Sequence, residues 1–377
     1  MSVAYLDNSA TTRVCRAAAD KAYAVMTEVY GNPSSLHTMG FRAEQEMTVA
    51  RAAVGKLIGA PPERLFFTSG GTEANNLAIL GWAEAHTHGG RHIVTTAVEH
   101  SSVSAACDKL EKQGYTVTRL IPAADGTIAA EQIVEACRPD TGLVAVMLVN
   151  NETGARFPLE KAVAGIRRRS PQAHIHGDAV QAAGKIPVQA QRWGVDSLAA
   201  SAHKIHGPKG CGVLYLRKEA RVSPRNLGGK QESGLRCGTE AVPLIAAFGA
   251  AAERVPPFPQ QLARYDALRQ RLIDGLRDCE GVVFHLPAGG VPYIIHLSAI
   301  GLRSETVLHF LAQREVYVSS GSACSKGAKS PVLTAMGLPA AQIDSALRVS
   351  LSQDNTEDDI DRFVETLREA MSVIARR

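Results

Sequence analysis

The sequence predicts an α/β protein of two domains, and three observations carry this. Apolar runs of strand length alternate with helical patterns over the first two thirds of the chain, the pattern of a sheet with helices on both faces. The 377 residues exceed what one compact core organises. Val255-Pro256-Pro257-Phe258-Pro259 then breaks the alternation and marks a domain boundary.

The elements follow in order. Residues 64–68 are a strand, because an apolar run ends in a Ser-Gly-Gly turn, and residues 73–85 are a helix. Aliphatic and β-branched runs predict strands at 92–96, 117–120, 143–149, 173–176, 197–201 and 212–216. Beyond the boundary come a long helix near 260–278, a strand at 293–297, a helix at 304–314 and a strand at 316–318. A Gly/Ser/Lys-rich loop precedes a strand at 346–351. The last helix opens at Asn355-Thr356, with Asp359 spaced as in a capping box.

Composition excludes several classes. A net charge of +4 over this length is too small to argue for nucleic-acid binding, and the one basic triplet, Arg167-Arg168-Arg169, reads as a solvated helix end. No apolar run reaches the ~18 residues of a membrane helix. The start of the chain lacks the charge and apolar stretch of a signal peptide. Seven cysteines, odd in number and without a C-x-x-C pair, argue against a disulfide framework or a metal site. A reducing cytoplasm is therefore the expected compartment.

Ser201-Ala202-His203-Lys204 follows a predicted strand, with Asp178 twenty-six residues upstream and Gln181 just after it. An acid and a lysine among small polar residues suit pyridoxal phosphate (PLP): the lysine holds the aldehyde as a Schiff base, and the acid keeps the pyridinium nitrogen charged. Asp178 ends its strand, where α/β sheets bind ligands, although the same carboxylate would serve as a helix N-cap. Ser69-Gly70-Gly71-Thr72-Glu73 joins a strand to a helix, so its backbone N–H groups would close on a phosphate; a plain tight turn accounts for it as well. His100, at another strand end, is either a ring-stacking proton carrier or an ordinary loop histidine. Cys324 lies in a polar, glycine-rich loop beside Lys326 and Lys329, which favour a thiolate; an inert loop cysteine is the plainer account. Arg348, in a predicted strand, suits either a substrate carboxylate or a structural salt bridge.

Taken together these residues resemble the cysteine desulfurases, PLP enzymes that take sulfur from L-cysteine. The likeness runs over nearly the whole chain. It includes Tyr5-Leu6-Asp7-Asn8-Ser9-Ala10-Thr11-Thr12, Gly31-Asn32-Pro33-Ser34-Ser35 with His37, and Asn150-Asn151-Glu152-Thr153-Gly154. It continues through Asp178-Ala179-Val180-Gln181, the Lys204 motif with Gly207-Pro208-Lys209-Gly210, and Ser320-Gly321-Ser322-Ala323-Cys324. The long cysteine loop is similar to that of the housekeeping and nitrogen-fixation branch.

The resemblance implies a type I (aspartate aminotransferase-like) fold. Residues 15–255 would form a large PLP-binding domain with a mostly parallel sheet, and residues 1–14 with 256–377 a small α+β domain carrying the cysteine loop at about 319–331. It implies Lys204 as the PLP-bearing lysine, Asp178 at the ring nitrogen, Gln181 at the phenolic oxygen and His100 stacked on the ring. Gly71, Thr72, Ser201 and His203 would hold the phosphate, and Thr239 would reach it across a homodimer interface. Asn151 and Arg348 would bind the substrate carboxylate, and Cys324 would take the sulfur as a persulfide. A sulfur-acceptor protein, either an iron-sulfur scaffold or a thiolation protein, would receive it. A selenocysteine lyase or another PLP enzyme of this fold, and a non-catalytic sulfur carrier, are the rival readings. Three departures stand out: Ser233 where a second arginine is usual, Cys237 where serine or alanine is usual, and Leu351-Ser352-Gln353 in place of Leu-Gly-Arg.

Overall fold

The computed structural model describes residues 3–320 and 330–374. Its centre is a seven-stranded sheet built from β2 (Leu65–Thr68), β3 (His92–Thr96), β4 (Thr116–Leu120), β5 (Thr141–Met147), β6 (His174–Asp178), β7 (Ser197–Ser201) and β8 (Gly212–Leu216). The spatial order is β2-β8-β7-β6-β5-β3-β4. The neighbours from β4 to β7 run parallel, and β8 runs against both β7 and β2. Strand β5 is buried along its whole length, as expected of a parallel strand covered on both faces.

Helices cover this sheet. Gly71–Ala85 packs on Ser101–Lys112 and also contacts β6, β7 and β8. Helices Arg16–Glu28 and Thr38–Ile58 both pack on Val242–Glu253. The last two approach closely: a Cβ on Gly249 would stand 2.6 Å from Ala50 Cα, so glycine is required at that crossing.

A second sheet joins β9 (Val282–Phe284), β10 (Ile294–Ala299) and β12 (Ala346–Ser350), antiparallel in the order β12-β10-β9. The start of the chain reaches this part of the molecule. There β1 (Ala4–Tyr5) pairs in parallel with β11 (Val316–Tyr317), and Asp7 bridges to Ser350. Helix Glu357–Val373 packs on Phe258–Leu276 and Ser304–Ala312. Its capping box is present: Thr356 N donates to Asp359 Oδ2 at 3.0 Å, and Asp359 N donates to Thr356 Oγ1 at 3.4 Å.

The expected strands appear within two or three residues of their predicted ends. Residue 178 falls inside β6, and the helix expected at 73 begins at Gly71. Sequence patterning missed β1, the three-residue β9 and helices including Arg16–Glu28 and Thr38–Ile58. The basic triplet does close a helix (Leu159–Arg169), but Arg167 is only partly solvated: it pairs with buried Asp196 and donates to Ala173 O and Gly194 O. No helix among the described residues is long and apolar enough to cross a membrane, and no His/Cys/Asp/Glu group among them is arranged to hold a metal ion.

Candidate active site

The carboxyl ends of β3, β6 and β7 bring His100, Asp178 and Lys204 to one edge of the large sheet, where α/β folds bind ligands. Strand β7 ends at Ser201, and a single 3-10 turn, Ala202–Lys204, follows. Residues 9–12 lie across this turn. Lys204 Nζ donates to Ser9 O at 2.5 Å and Ala10 O at 2.7 Å, and Thr12 Oγ1 donates to His203 O at 3.0 Å. His203 Nδ1 lies 3.2 Å from Thr11 Oγ1, and burial, with Lys204, Lys209 and Lys185 nearby, pushes the imidazole down to about 4. Directly after the turn His206 takes a left-handed conformation (φ 65°), held by its N–H donating to Thr12 Oγ1 at 2.8 Å.

Asp178 is the last residue of β6 and is 5% exposed. The helix N-cap alternative is not realised: a series of turns follows, and Val180 N donates to Asp178 Oδ1 at 2.9 Å. Its other oxygen accepts from Asn75 Nδ2 at 2.7 Å. Asn75 also donates to Ser102 Oγ at 2.8 Å, and its Oδ1 meets His176 Nε2 at 2.9 Å. Ser197 Oγ completes the array at 2.8 Å from His176 Nδ1 and 2.7 Å from His174 Nε2. Burial pushes both imidazoles down to about 3, so they serve as neutral hydrogen-bonding groups.

His100 joins the same array. It caps helix Ser101–Lys112: Nδ1 accepts from Ser102 N at 3.1 Å and lies 2.8 Å from Ser102 Oγ. The loop that bears it rests on buried Glu99, which accepts from Thr96 Oγ1 at 2.9 Å and from Met147 N at 3.0 Å. Burial lifts that carboxyl to about 8, against the pull of these donors. Gln181 Nε2 donates to Ser9 O at 2.9 Å, and Lys185 Nζ donates to Gln181 Oε1 at 3.2 Å.

The glycine turn has the form of a cradle. Gly71 opens the helix, and a Cβ there would lie 2.6 Å from Val180 Cγ2. Ser201 Oγ is buried without a partner and faces this turn, 4.0 Å from where a Cβ on Gly70 would stand. Glu73 is tied back to Ser69 N at 2.6 Å and to Arg236 at 2.9 Å. Beyond Arg236, Glu232 is buried with φ 46° and clasps Arg51 at 2.7 Å while accepting from Phe67 N at 2.8 Å. Ser233 is exposed, and Cys237 is buried, its thiol donating to Gly229 O at 2.9 Å. Thr239 is exposed and makes no side-chain hydrogen bond among the described residues.

Arg348, on β12, is 3% exposed and does form a salt bridge, to Asp7 at 2.7 Å. Nη1 also donates to Asn151 O at 2.9 Å, yet Nε stays buried and unpartnered. The Asn151 side chain has no hydrogen bond among the described residues. Asn150 is structural: its Oδ1 accepts from Glu152 N and Thr153 N, both at 2.9 Å. Cys324 lies outside the described residues. On one side of it Ser319 is paired with Arg348 through the backbone; on the other, Ser330 Oγ donates to Glu152 Oε2 at 2.5 Å. Burial lifts Glu152 to about 7, opposed by Ser330 and Arg348.

Sequence reasoning missed Asn75, Ser102, His176, Lys185 and Glu99. A pair of asparagines in the middle of an otherwise apolar helix was the available signal for Asn75.

The class-V aminotransferase family model matches residues 4–363. Cysteine desulfurase 2 of Trichormus variabilis is 41% identical over 371 residues, spanning 97% of this chain and 92% of that protein. A solved NifS-like protein superposes with a TM-score of 0.93 at 34% identity, over 99% of this chain and 100% of that one. A structure described as SspA in complex with cysteine superposes with a TM-score of 0.80 at 32% identity, over 92% and 98% of the two chains. The chain belongs to the class-V aminotransferases and, within them, to the cysteine desulfurases.

Proposed function

We propose that this chain is a PLP-dependent cysteine desulfurase that converts L-cysteine to L-alanine and passes the sulfur on as a persulfide of Cys324. The observation that carries the reading is that Lys204 and Gln181 meet on the Ser9 carbonyl, with buried Asp178 at the end of the neighbouring strand β6 and a buried, unpartnered hydroxyl on Ser201. The residues fit the cofactor. Ser201 Oγ is an orphaned buried hydroxyl at a helix N-terminus, and only glycine leaves room at position 71. The buried Asp178 carboxylate accepts from two N–H donors, Asn75 Nδ2 and Val180 N, which fix its orientation.

Bound PLP supplies an aldehyde that carries the substrate amine and a ring that takes up the charge left at Cα. Gly71, Thr72, Ser201 and His203 would hold its phosphate, joined by Thr239 of a second copy. Asp178 would pair with the ring nitrogen, Gln181 with the phenolic oxygen, and His100 would lie on the ring. Arg348, through its spare Nε–H, and the Asn151 amide bind the cysteine carboxylate. Lys204 would hold the cofactor aldehyde, and its amine would move the Cα proton of the substrate. The Cys324 thiolate attacks the substrate sulfur: an S–S bond forms, the Cβ–S bond breaks, and the electron pair stays on carbon, which takes a proton and leaves as alanine.

A homodimer completes the site. Tyr23, Met26, Phe41 and Val49 are exposed on two helices, with Tyr30 and Leu36 exposed between them, an apolar array suited to a second copy. The sulfur acceptor is a protein, either an iron-sulfur scaffold or a thiolation protein, and the compartment is the cytoplasm. Two variants test the roles. Cys324→Ala should keep the visible cofactor band and lose persulfide formation, and sulfur transfer by that variant would overturn the role of Cys324. Lys204→Ala should lose turnover, and full activity there would refute the PLP assignment.

A further inference from the structure

Lys185 is a buried cation that the mechanism above leaves unused. It is 5% exposed, and no carboxylate pairs with it among the described residues. Its Nζ donates to Gln181 Oε1 at 3.2 Å and stands 5.1 Å from the centre of the Tyr293 ring. Tyr293 in turn donates to Gln181 O at 2.9 Å. The other end of the Gln181 amide is also tied. Nε2 donates to Ser9 O, the carbonyl that accepts from Lys204. The charged and titratable groups around Lys185 are Lys204, Arg348, His203 and His206, with the Tyr293 phenol. Lys185 and Lys204 also line one small cavity with Thr12, Gln261 and Gln353.

The two ends of a glutamine amide are chemically opposite, oxygen accepting and nitrogen donating, and only the surrounding bonds decide which end faces a ligand. Nε2 carries two N–H groups. One is spent on Ser9 O, and no second partner of Nε2 exists among the described residues. We propose that Lys185 is a positioning residue: by holding Gln181 Oε1 it presents an amide N–H, not the oxygen, to the phenolic oxygen of PLP. This rests on the reading of Gln181 as a cofactor contact. The role explains a lysine kept where burial is costly. Desolvation, with Lys204 and Arg348 nearby, pushes its ammonium down to about 7, and both its charged and neutral forms still carry N–H donors.

The test uses the PLP-loaded protein without substrate. The pH midpoint of the visible cofactor band and the PLP dissociation constant are measured for wild type, Lys185→Met, Gln181→Met and the double variant. Loss of one hydrogen bond to a charged donor predicts a dissociation constant raised about five- to ten-fold in Lys185→Met. Its band midpoint should move the same way as in Gln181→Met, and the double variant should be no worse than Gln181→Met within about two-fold. A wild-type midpoint in Lys185→Met, or fully additive effects in the double variant, would overturn the proposal. If Gln181→Met itself changes nothing, or wild type shows no band, the underlying cofactor reading has failed instead. Should Lys185→Met not fold, the side-chain amide resonance of Gln181 in ¹⁵N-glutamine-labelled wild type decides: it must move as Lys185 titrates, and a resonance indifferent to pH between 6 and 9 sinks the idea.

Discussion

Asn75 ties three buried side chains together beneath the proposed site, and its removal has a calculable cost. The residue is 1% exposed and joins Asp178, Ser102 and His176 through bonds of 2.7, 2.8 and 2.9 Å. Asn75→Ala breaks one bond to a carboxylate and two between neutral groups, and leaves their buried partners unsatisfied. Bonds to a charged group contribute about 1.5–3 kcal/mol and neutral ones about 0.5–1.5, so the variant should lose about 3–5 kcal/mol. Unfolding entropy of about 2.1 cal/mol/K per residue over the 377-residue chain turns this into a fall in Tm of about 4–6 °C. PLP binding should weaken by about ten-fold, because Asp178 loses the donor that holds its carboxylate in place. The assay is a thermal melt at matched scan rate together with an absorbance titration of PLP. Asn76→Ala, at a half-buried neighbour whose Nδ2 donates only to the Thr72 and Ser102 carbonyls, is the comparison and should shift Tm by less than Asn75→Ala. An Asn75→Ala protein within 1 °C of wild type, with unchanged PLP affinity, would refute the reasoning.

Three further outcomes are expected. Glu99 is held protonated to about pH 8 when folded, against 4.5 as its ordinary value, so the folded state binds the extra proton and stability falls as pH rises through that window. Glu99→Gln should flatten this fall, read as urea midpoints at pH 5, 7 and 8.5, and an unchanged slope would contradict it. Lys185 has the opposite sign: its value drops from 10.5 to about 7, the unfolded chain holds the extra proton, and stability climbs with pH between those limits. Lys185→Met should lose that climb in the same urea series. Gly71→Ala forces a methyl to 2.6 Å from Val180 Cγ2, an overpacking cost of about 1–3 kcal/mol. Its PLP dissociation constant should rise about ten-fold, and a wild-type constant would mean that the cradle does not need glycine.

Much of the site was legible in the sequence because it is local. Asp178 ends a strand and Lys204 and His100 each follow one by a few residues, and strand ends of a parallel sheet share one edge. What was not legible is long-range. Asn75 meets Asp178 across 103 residues and Arg348 meets Asp7 across 341, distances that no periodicity encodes. Of the two readings of Arg348, the salt bridge is realised, and it leaves the buried Nε without a partner. Helix Arg16–Glu28 turns only small residues and one valine to the core, Ala18, Ala22 and Val25, a stripe too weakly apolar to stand out among its other alanines. Strand β9 is three half-buried residues at a sheet edge, too short for an alternation to register.

The most direct test of the central claim is to incubate the purified, PLP-loaded protein with L-cysteine and a reductant, and to quantify sulfide and alanine beside the visible spectrum. The account predicts a cofactor band with sulfide and alanine formed in equal amounts. A protein that shows no such band, or one that holds the band and yields neither product, would contradict it.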